Sequence, residues 1–375
     1  MDALEFSEML EGLGDAFYTG VPDSLLAPFI DAVMEKYGVS DKHIVAANEG
    51  AAVGLAAGHY LATSRPAIVY MQNSGIGNAI NPICSLLHKK VYSIPVIFVI
   101  GWRGELGIMD EPQHVFQGEV TLPLLDCLEI PYVVVSESSE GMEAIVKDFK
   151  KHIENGQSVA FVIPKGALTN ARKVKYENDA ILSREDALKS IFRVTGDEKR
   201  AVFICTTGKL SREVFELREQ SGEGHGQDFL TVGSMGHSSM IAYSVALAKP
   251  ERRVYCLDGD GATLMHMGSM AIVGARRPDN LVHIVINNGA HETVGGLPAV
   301  SGGLELHKIA HTLGYLKTFR VWTQCELENV LLEEANVSGT VFIEVMCNLK
   351  SRVDLGRPTT SPIQNKLDLI KNLGD

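Results

Sequence analysis

Short, almost continuously apolar runs alternate along the chain with stretches in which apolar residues recur at helical spacing. The runs have the length of strands, and their lack of polar alternation indicates sheets covered on both faces. We predict strands at 16–19, 43–47, 67–71, 96–100, 132–135, 159–163, 202–206, 229–232, 254–257, 282–286, 317–321 and 341–345. We predict helices at 24–36, 49–63, 76–88, 140–154, 212–219, 238–248, 263–274, 306–314, 325–335 and 362–373. This strand–helix alternation predicts an α/β fold with doubly wound parallel sheets.

One polar segment of mixed charge, at 169–182, interrupts the alternation. The residues that follow it, Ser183 to Asp186, have the Ser-x-x-Asp pattern that opens many helices. The chain has 375 residues, enough for two domains at roughly 100–200 residues each. We therefore predict α/β domains at 1–168 and 183–375, joined by a linker at 169–182.

The composition excludes several classes of partner. The net charge of −12 argues against nucleic acid, because phosphate backbones are bound by basic faces. The six cysteines show no CxxC or zinc-site spacing, so we expect free thiols. No apolar stretch reaches the roughly 20 residues of a membrane helix, and the first residues lack an apolar signal core. We therefore expect no membrane partner and a cytoplasmic location.

The most informative motif is Gly259-Asp260-Gly261, which follows a predicted strand. Glycines let a diphosphate approach the backbone, and the start of the next helix favours its negative charge. The carboxylate of Asp260 is a hard oxygen ligand that suits Mg²⁺. After 25 further residues comes the pair Asn287-Asn288. This interval holds one helix and one strand, so Asp260 and Asn288 should lie at the ends of adjacent parallel strands.

A GDG turn followed at this distance by an Asn pair resembles the signature of the thiamine-diphosphate-dependent decarboxylase family. The resemblance implies thiamine diphosphate and Mg²⁺ as cofactors, with Asp260, Asn288 and the Ala290 carbonyl as metal ligands. The two predicted domains would be the pyrimidine-binding and diphosphate-binding domains of that fold. The short linker leaves no room for the middle domain of larger members.

A second motif carries the resemblance in the first half of the chain. The apolar run at 43–47 leads to Glu49 and then to a helix of small residues. In the family, a glutamate in this position contacts N1′ of the pyrimidine and is catalytic. The resemblance also implies that Met235 wedges the two cofactor rings together and that the Gly233 carbonyl accepts from the pyrimidine amine. The implied cofactor contacts are Glu49, Asn73, Thr207, Gly208, Gly233, Met235, Gly259, Asp260, Gly261, Ala262, Thr263 and Asn288.

Within the family, the chain resembles the phosphonopyruvate decarboxylases and their sulfopyruvate relatives. The segments that carry this narrower resemblance lie at 18–24, 72–78, 101–104, 110–114, 291–296 and 354–360. It implies a lyase of phosphonate biosynthesis, which converts 3-phosphonopyruvate to phosphonoacetaldehyde and CO₂.

Loss of CO₂ leaves an acyl carbanion that a thiazolium can stabilise and that must then be protonated. His114 and His291 are candidate proton donors, because histidine titrates near neutrality. We expect Asp23 and Ser24 to line the substrate pocket. Arg103 is the first candidate to bind the phosphonate or sulfonate group of the substrate, because the N–H donors of its planar guanidinium match the geometry of the oxygens. Further candidate cations are Lys89, Lys90, Arg352 and Arg357.

Several alternatives remain open. Sulfopyruvate is a second substrate candidate, and a thiamine-dependent carboligase would instead form a carbon–carbon bond. An NAD-dependent dehydrogenase would need GxGxxG after the first strand, which leads instead into Gly20-Val-Pro-Asp-Ser24. A non-catalytic binding protein would not explain Glu49 together with the GDG and Asn motifs. The family also implies a homo-oligomer, dimeric or higher, whose site is shared between subunits.

Overall fold

The chain forms two compact units, Met1–Lys175 and Tyr176–Asp375. The division between them lies within the segment 169–182. The computed structural model describes residues 1–138, 141–196, 200–334 and 338–374. Within these ranges no helix combines the length and the apolar character needed to cross a bilayer.

Unit 1 is built on a six-stranded sheet in which every strand pair is parallel, in the order β2-β1-β3-β4-β6-β5. Its strands are β1 (Tyr18–Gly20), β2 (His43–Val45), β3 (Ile68–Gln72), β4 (Ile97–Gly101), β5 (Tyr132–Val134) and β6 (Val159–Ile163). Every residue of β4 and β6 is buried, as the continuous apolar runs predict.

Helices cover both faces of the first sheet. They are α1 (Ala3–Leu13), α2 (Ala27–Tyr37), α3 (Glu49–Thr63), α4 (Ile76–Pro82), α5 (Pro112–Cys127) and α6 (Met142–Glu154). Residues of α3, α4 and α5 share one apolar cluster with the sheet. On α1, α2 and α6, the rings of Phe6, Phe29 and Phe149 contact one another or Phe161 of β6 edge-to-face. Small residues such as Ala52 and Ala56 let α3 approach the strands closely.

Unit 2 repeats this design with the order β13-β14-β10-β9-β7-β8, again with parallel pairs. Its strands are β7 (Val202–Cys205), β8 (Asp228–Leu230), β9 (Val254–Gly259), β10 (Leu281–Asn287), β13 (Lys317–Val321) and β14 (Val341–Met346), with a short hairpin of β11 (Ala290–His291) and β12 (Leu297–Pro298). Its helices are α7 (Arg184–Thr195), α8 (Lys209–Ser221), α9 (Ser238–Ala248), α10 (Asp260–Met265), α11 (Gly268–Arg276), α12 (Leu306–Leu313), α13 (Gln324–Glu334) and α14 (Pro362–Gly374).

The two sheets have the same strand order when each is read in chain order. In each, the second strand flanks the first on one side, and the third lies on the other side. The direction of winding therefore reverses between β1 and β3 and between β7 and β9. Loops at the carboxyl ends of such strands diverge and open a crevice. Each unit thus offers a crevice at an equivalent position.

The predicted fold class is confirmed, and all the predicted strands are present. Two helices, α1 and α5, are absent from the prediction. Pro112 and Pro123 obscured α5, although a proline in the first turn favours a helix. The predicted helix at 263–274 is wrong: α10 begins at Asp260 and ends at Met265, and α11 starts after a break at His266.

Other details of the sequence analysis agree with the structure. Ser183 caps α7 by accepting from the Asp186 amide at 3.1 Å. All six cysteines are free thiols, of which Cys205, Cys256 and Cys347 are buried and the other three are exposed.

Candidate active site

The carboxylate of Asp260 is buried at the carboxyl edge of the second sheet. Asp260 is the first residue of α10 and is 5% exposed. It accepts a hydrogen bond from the Ser301 hydroxyl, and within the described residues no cationic side chain pairs with it. Burial raises the pKa of Asp260 to about 6, against the opposing effect of hydrogen bonds from Ser301 and nearby backbone amides. A buried carboxylate without a counterion is characteristic of a functional position.

The two asparagines after β10 have different environments. Asn287 is fully buried and donates to Glu344 at 2.7 Å. Asn288 is only partly buried; its Oδ1 accepts from the Ala290 amide at 3.1 Å. Because Ile286 of β10 pairs with Gly259 of β9, the Asn288 turn lies beside the start of α10. The structure therefore brings Asp260 and Asn288 to neighbouring strand ends, as the spacing predicts.

Two of the predicted site residues, Met235 and His291, converge on Gly261. A Cβ atom at this position would lie 3.3 Å from Cε1 of His291 and 3.4 Å from the methyl group of Met235. Met235 and His291 therefore flank the glycine turn from the loop after β8 and from β11. A side chain at Gly261 would crowd both residues.

The turn after β7 provides further backbone groups at the same edge. Gly208 has φ +93°, a conformation that favours glycine, and it precedes the first turn of α8. The Thr207 hydroxyl donates to the Val232 carbonyl at 2.8 Å. The hydroxyl of Thr206 is buried and has no hydrogen-bond partner in the described part of the chain. Thr263, in α10, donates to Asp258 at 3.4 Å. The edge thus combines a glycine turn, two helix starts and an unpaired hydroxyl.

His291 differs from the expectation that it titrates near neutrality. Burial lowers the pKa of its imidazole to about 4. No group in the described residues hydrogen-bonds to the ring, so nothing offsets the cost of charging it. In this structure, His291 is therefore a neutral polar group at neutral pH.

In unit 1, Glu49 is the buried carboxylate of the corresponding edge. It is the first residue of α3, follows the N-cap Asn48 and is 5% exposed. The amide of Asn78 donates to its Oε2 at 2.7 Å. A Cβ atom at Gly75 would lie 2.4 Å from Oε1 of Glu49, so the turn after β3 leaves space for the carboxylate. Asn78 and Gly75 fix the position of Glu49, and sequence reasoning assigned a role to neither.

Asn73 is fully buried, and its amide is engaged at both ends. Nδ2 donates to the Arg103 carbonyl and to the Thr121 hydroxyl, both at 2.8 Å, and Oδ1 accepts from the Arg103 amide at 3.2 Å. This side chain therefore ties the end of β3 to the loop after β4 and to α5.

Asp110 organises the polar cluster after β4. Its carboxylate accepts from Nε of Arg103 at 2.8 Å and from Nδ1 of His114 at 3.0 Å. It also accepts from the amides of Gly104 and Glu111. Burial alone would raise the pKa of Asp110, but the hydrogen bonds from Arg103 and His114 hold it well below its usual range. One carboxylate thus orients both Arg103 and His114.

Asp23 and Ser24 adjoin this cluster. Asp23 is fully buried, accepts from the Gln72 amide at 2.6 Å and has a pKa raised by burial. Ser24 is exposed and accepts from Nη1 of Arg103 at 2.9 Å. The structure therefore brings together Asp23, Ser24, Arg103 and His114, with Asp110 as a member that the sequence analysis did not single out.

The remaining candidate cations are less well placed. Lys89 and Lys90 lie in the loop that precedes β4, at the opposite edge of the sheet, and each contacts Glu129 at 3.0 Å. Arg352 pairs with Glu185 and Glu216, and Arg357 is exposed.

Comparison with known proteins adds independent information. Residues 5–125 match the N-terminal TPP binding domain of thiamine pyrophosphate enzymes, and residues 206–345 match the C-terminal TPP binding domain. The phosphonopyruvate decarboxylase of Streptomyces viridochromogenes is 30% identical over 95% of this chain and 90% of its own length. That of Streptomyces hygroscopicus is 30% identical over 94% and 89%. A sulfopyruvate decarboxylase of Methanosarcina acetivorans is 26% identical over 72% of each chain.

The space beside Glu49 can be tested by substitution at Gly75. We expect Gly75→Ala to lower the free energy of unfolding by about 1–3 kcal/mol, because the new methyl group would overlap the Glu49 carboxylate. Gly77→Ala, two residues away with no atom within 4 Å of its Cβ position, is the matched control and should not be destabilising. Urea unfolding of both variants measures the difference. Equal stability of the two would contradict this account of the Glu49 pocket.

The neutral state of His291 predicts a specific dependence of stability on pH. Its pKa is about 4 in the folded protein and near 6.5 when unfolded, so the unfolded chain binds the extra proton first on acidification. The free energy of unfolding therefore has its full value, as far as His291 is concerned, above about pH 6.5, and it decreases as the pH falls toward 4. Across this pH range, the free energy of unfolding of His291→Gln should fall less than that of the wild type. The exposed His311→Gln variant is the control and should behave like the wild type. An unchanged slope in His291→Gln would refute the expectation.

Proposed function

Because the chain belongs to the thiamine pyrophosphate enzymes, we propose that it decarboxylates 3-phosphonopyruvate to phosphonoacetaldehyde and CO₂, with thiamine diphosphate and Mg²⁺ as cofactors. The observation that carries the proposal is the pair of buried edge carboxylates, Glu49 in unit 1 and Asp260 in unit 2. They occur in a chain that matches phosphonopyruvate decarboxylases over nearly its whole length.

The residues of unit 2 fit the diphosphate and its metal ion. Asp260 is a buried carboxylate without a cation among the described side chains, and Mg²⁺ would supply the missing charge. Asn288 and the Ala290 carbonyl would complete the protein ligands. Thr207, Gly208, Gly259, Gly261, Ala262 and Thr263 would hold the diphosphate. The close contacts of 3.3–3.4 Å that a Cβ at Gly261 would make with His291 and Met235 are consistent with a closely packed cradle.

The other cofactor contacts would hold the organic rings. Met235 would pack against the cofactor, the Gly233 carbonyl would accept from the pyrimidine amine, and Asn73 would fix the nearby turn. When bound, thiamine diphosphate supplies the electron sink that amino-acid side chains lack. Glu49, held by Asn78, would contact N1′ of the pyrimidine, where a buried carboxylate can control the location of a proton.

The Arg103 cluster supports an anionic substrate. Asp110 holds the Nε side of the guanidinium, which leaves the Nη1 side next to the exposed hydroxyl of Ser24. These donors would together bind the phosphonate oxygens, because a guanidinium offers several N–H groups in fixed geometry. Asp23 would lie beneath them in the pocket.

His114 is the better placed of the two candidate proton donors. Its Nδ1 is hydrogen-bonded to the Asp110 carboxylate at 3.0 Å, an arrangement that fixes the orientation of the ring. His291, with a pKa of about 4, would instead contribute a neutral polar group. We therefore assign proton delivery to His114 and a positioning or hydrogen-bonding role to His291.

Sulfopyruvate is the second candidate substrate, because a sulfopyruvate decarboxylase is also similar over 72% of the chain. The sulfonate group of sulfopyruvate would be bound by the same donors, Arg103 and Ser24.

We also propose that the protein is a homo-oligomer, at least a dimer, whose active site is shared between subunits. A monomer that remains active in a sedimentation experiment would overturn this part of the proposal.

The reaction is tested by CO₂ release from phosphonopyruvate, sulfopyruvate and pyruvate in parallel, with both cofactors present. We expect phosphonopyruvate to react fastest, and Glu49→Gln and Asp260→Ala to reduce the rate at least about 100-fold. Exposed Glu333→Gln is a control that should keep wild-type activity. Faster turnover of sulfopyruvate would reassign the substrate. Bound cofactor without any CO₂ release would exclude the proposal, and a product with a new carbon–carbon bond would indicate a carboligase.

The role of Arg103 is tested by Arg103→Met. We expect kcat/KM for phosphonopyruvate to fall about 10- to 100-fold, the effect of losing about 1.5–3 kcal/mol from a charged hydrogen bond. The value for pyruvate, which has no anionic tail, should change little. Lys90→Met at the opposite sheet edge is the control. An equal decrease of kcat/KM for both substrates would show that Arg103 supports the fold of the loop and does not bind the phosphonate group.

A further inference from the structure

Glu292 is the partner of the Asn288 side chain. Its Oε2 accepts from Nδ2 of Asn288 at 3.1 Å. On the other side of the same amide, Oδ1 of Asn288 accepts from the Ala290 backbone at 3.1 Å. The amide is therefore held at both ends, and its orientation is determined.

The orientation matters because only one end of an amide can bind a cation. A carboxylate accepts hydrogen bonds and cannot donate them, so Glu292 selects the NH₂ end of Asn288. The oxygen end is thereby left at the opposite side of the amide, where it accepts one bond from the Ala290 amide and keeps a second lone pair for a cation. A reversed amide would present its NH₂ group to a metal ion and would be repelled by it.

Glu292 is itself fixed by two cations in a buried network. Its side chain is 8% exposed, and it pairs with Arg184 and, at 3.0 Å, with Lys209. Arg184 also forms two hydrogen bonds of 2.7 Å with Glu213, which is 1% exposed. Lys209 is the first residue of α8, directly after the Gly208 turn. Glu292 thus connects the Asn288 turn to the start of α8, the two places where metal and diphosphate are proposed to bind.

We propose that Glu292 is a positioning residue, which holds the Asn288 amide with its oxygen available to the metal ion. The inference rests on the proposed function, because Asn288 is a metal ligand only if that proposal holds. Partners of this kind commonly change metal affinity 10- to 100-fold when they are removed. Glu213 gives a matched control, since it belongs to the same network and pairs with Arg184 but makes no hydrogen bond to Asn288 within the described residues.

The test is the affinity for Mn²⁺, a paramagnetic substitute for Mg²⁺, measured by electron paramagnetic resonance with thiamine diphosphate present and no substrate. We expect Glu292→Gln to weaken Mn²⁺ binding about 10- to 100-fold and Glu213→Gln to leave it within a few-fold of wild type. Thermal unfolding of both variants should show similar losses, because each leaves a buried cation with one anion fewer. A difference in affinity at similar stability separates positioning from general support of the fold.

Two further variants keep the inference testable if Glu292→Gln does not fold. Glu292→Asp retains the charge beside Arg184 and Lys209 but withdraws the carboxylate from Asn288, and it should also weaken Mn²⁺ binding. In an Asn288→Ala background, Glu292→Asp should have no additional effect, because its influence acts through the amide. Unchanged Mn²⁺ affinity in the folded Glu292 variants would overturn this inference alone. Failure of the wild-type protein to bind Mn²⁺ and thiamine diphosphate would overturn the proposed function as well.

Discussion

The burial of carboxylates at the carboxyl edges of two parallel sheets is the constraint on which the candidate site depends. Asp260 is almost completely enclosed, and no positive side chain in the described ranges faces it. Removing an ionised carboxylate from water without a partner is costly, and the raised pKa of about 6 expresses that cost. A divalent cation would remove it. Binding of the proposed metal ion would therefore recover the free energy lost at this position and would couple the local stability of the edge to its ligand.

The two units have the same topology but carry different groups at the equivalent edge. In unit 2, the edge combines oxygen-bearing side chains, glycine turns and helix starts, which would suit a metal ion and a diphosphate. In unit 1, the edge carries a buried glutamate and a cluster of proton-bearing groups around Asp110. The shared strand order creates a crevice at the same point of each sheet, and the residues that follow the strands decide what each crevice can bind.

The local parts of this arrangement could be predicted from the sequence, and the tertiary parts could not. The apolar runs locate the strands, and the interval between Asp260 and Asn288 places both at adjacent strand ends, because it spans one helix and one strand. The partners of these residues are not encoded at short range: Ser301 reaches Asp260 from 41 positions away, and Asn78 reaches Glu49 from 29 positions away. The low pKa of His291 likewise depends on burial that no motif reveals.

The same reasoning explains how an acidic protein could bind the anionic cofactor and substrate that we propose. Several arginines in the described ranges, both buried and partly buried, are already paired with carboxylates, as Arg184 is with Glu213 and Arg218 is with Asp228. Because the net charge of −12 gives no overall attraction for anions, their binding would rely on short-range donors. Backbone amides at helix starts and glycine turns supply such donors without adding charge. Arg103 is different because its carboxylate partner occupies one side of the guanidinium and leaves the other side beside Ser24, so it can be neutralised for folding and still bind an anion.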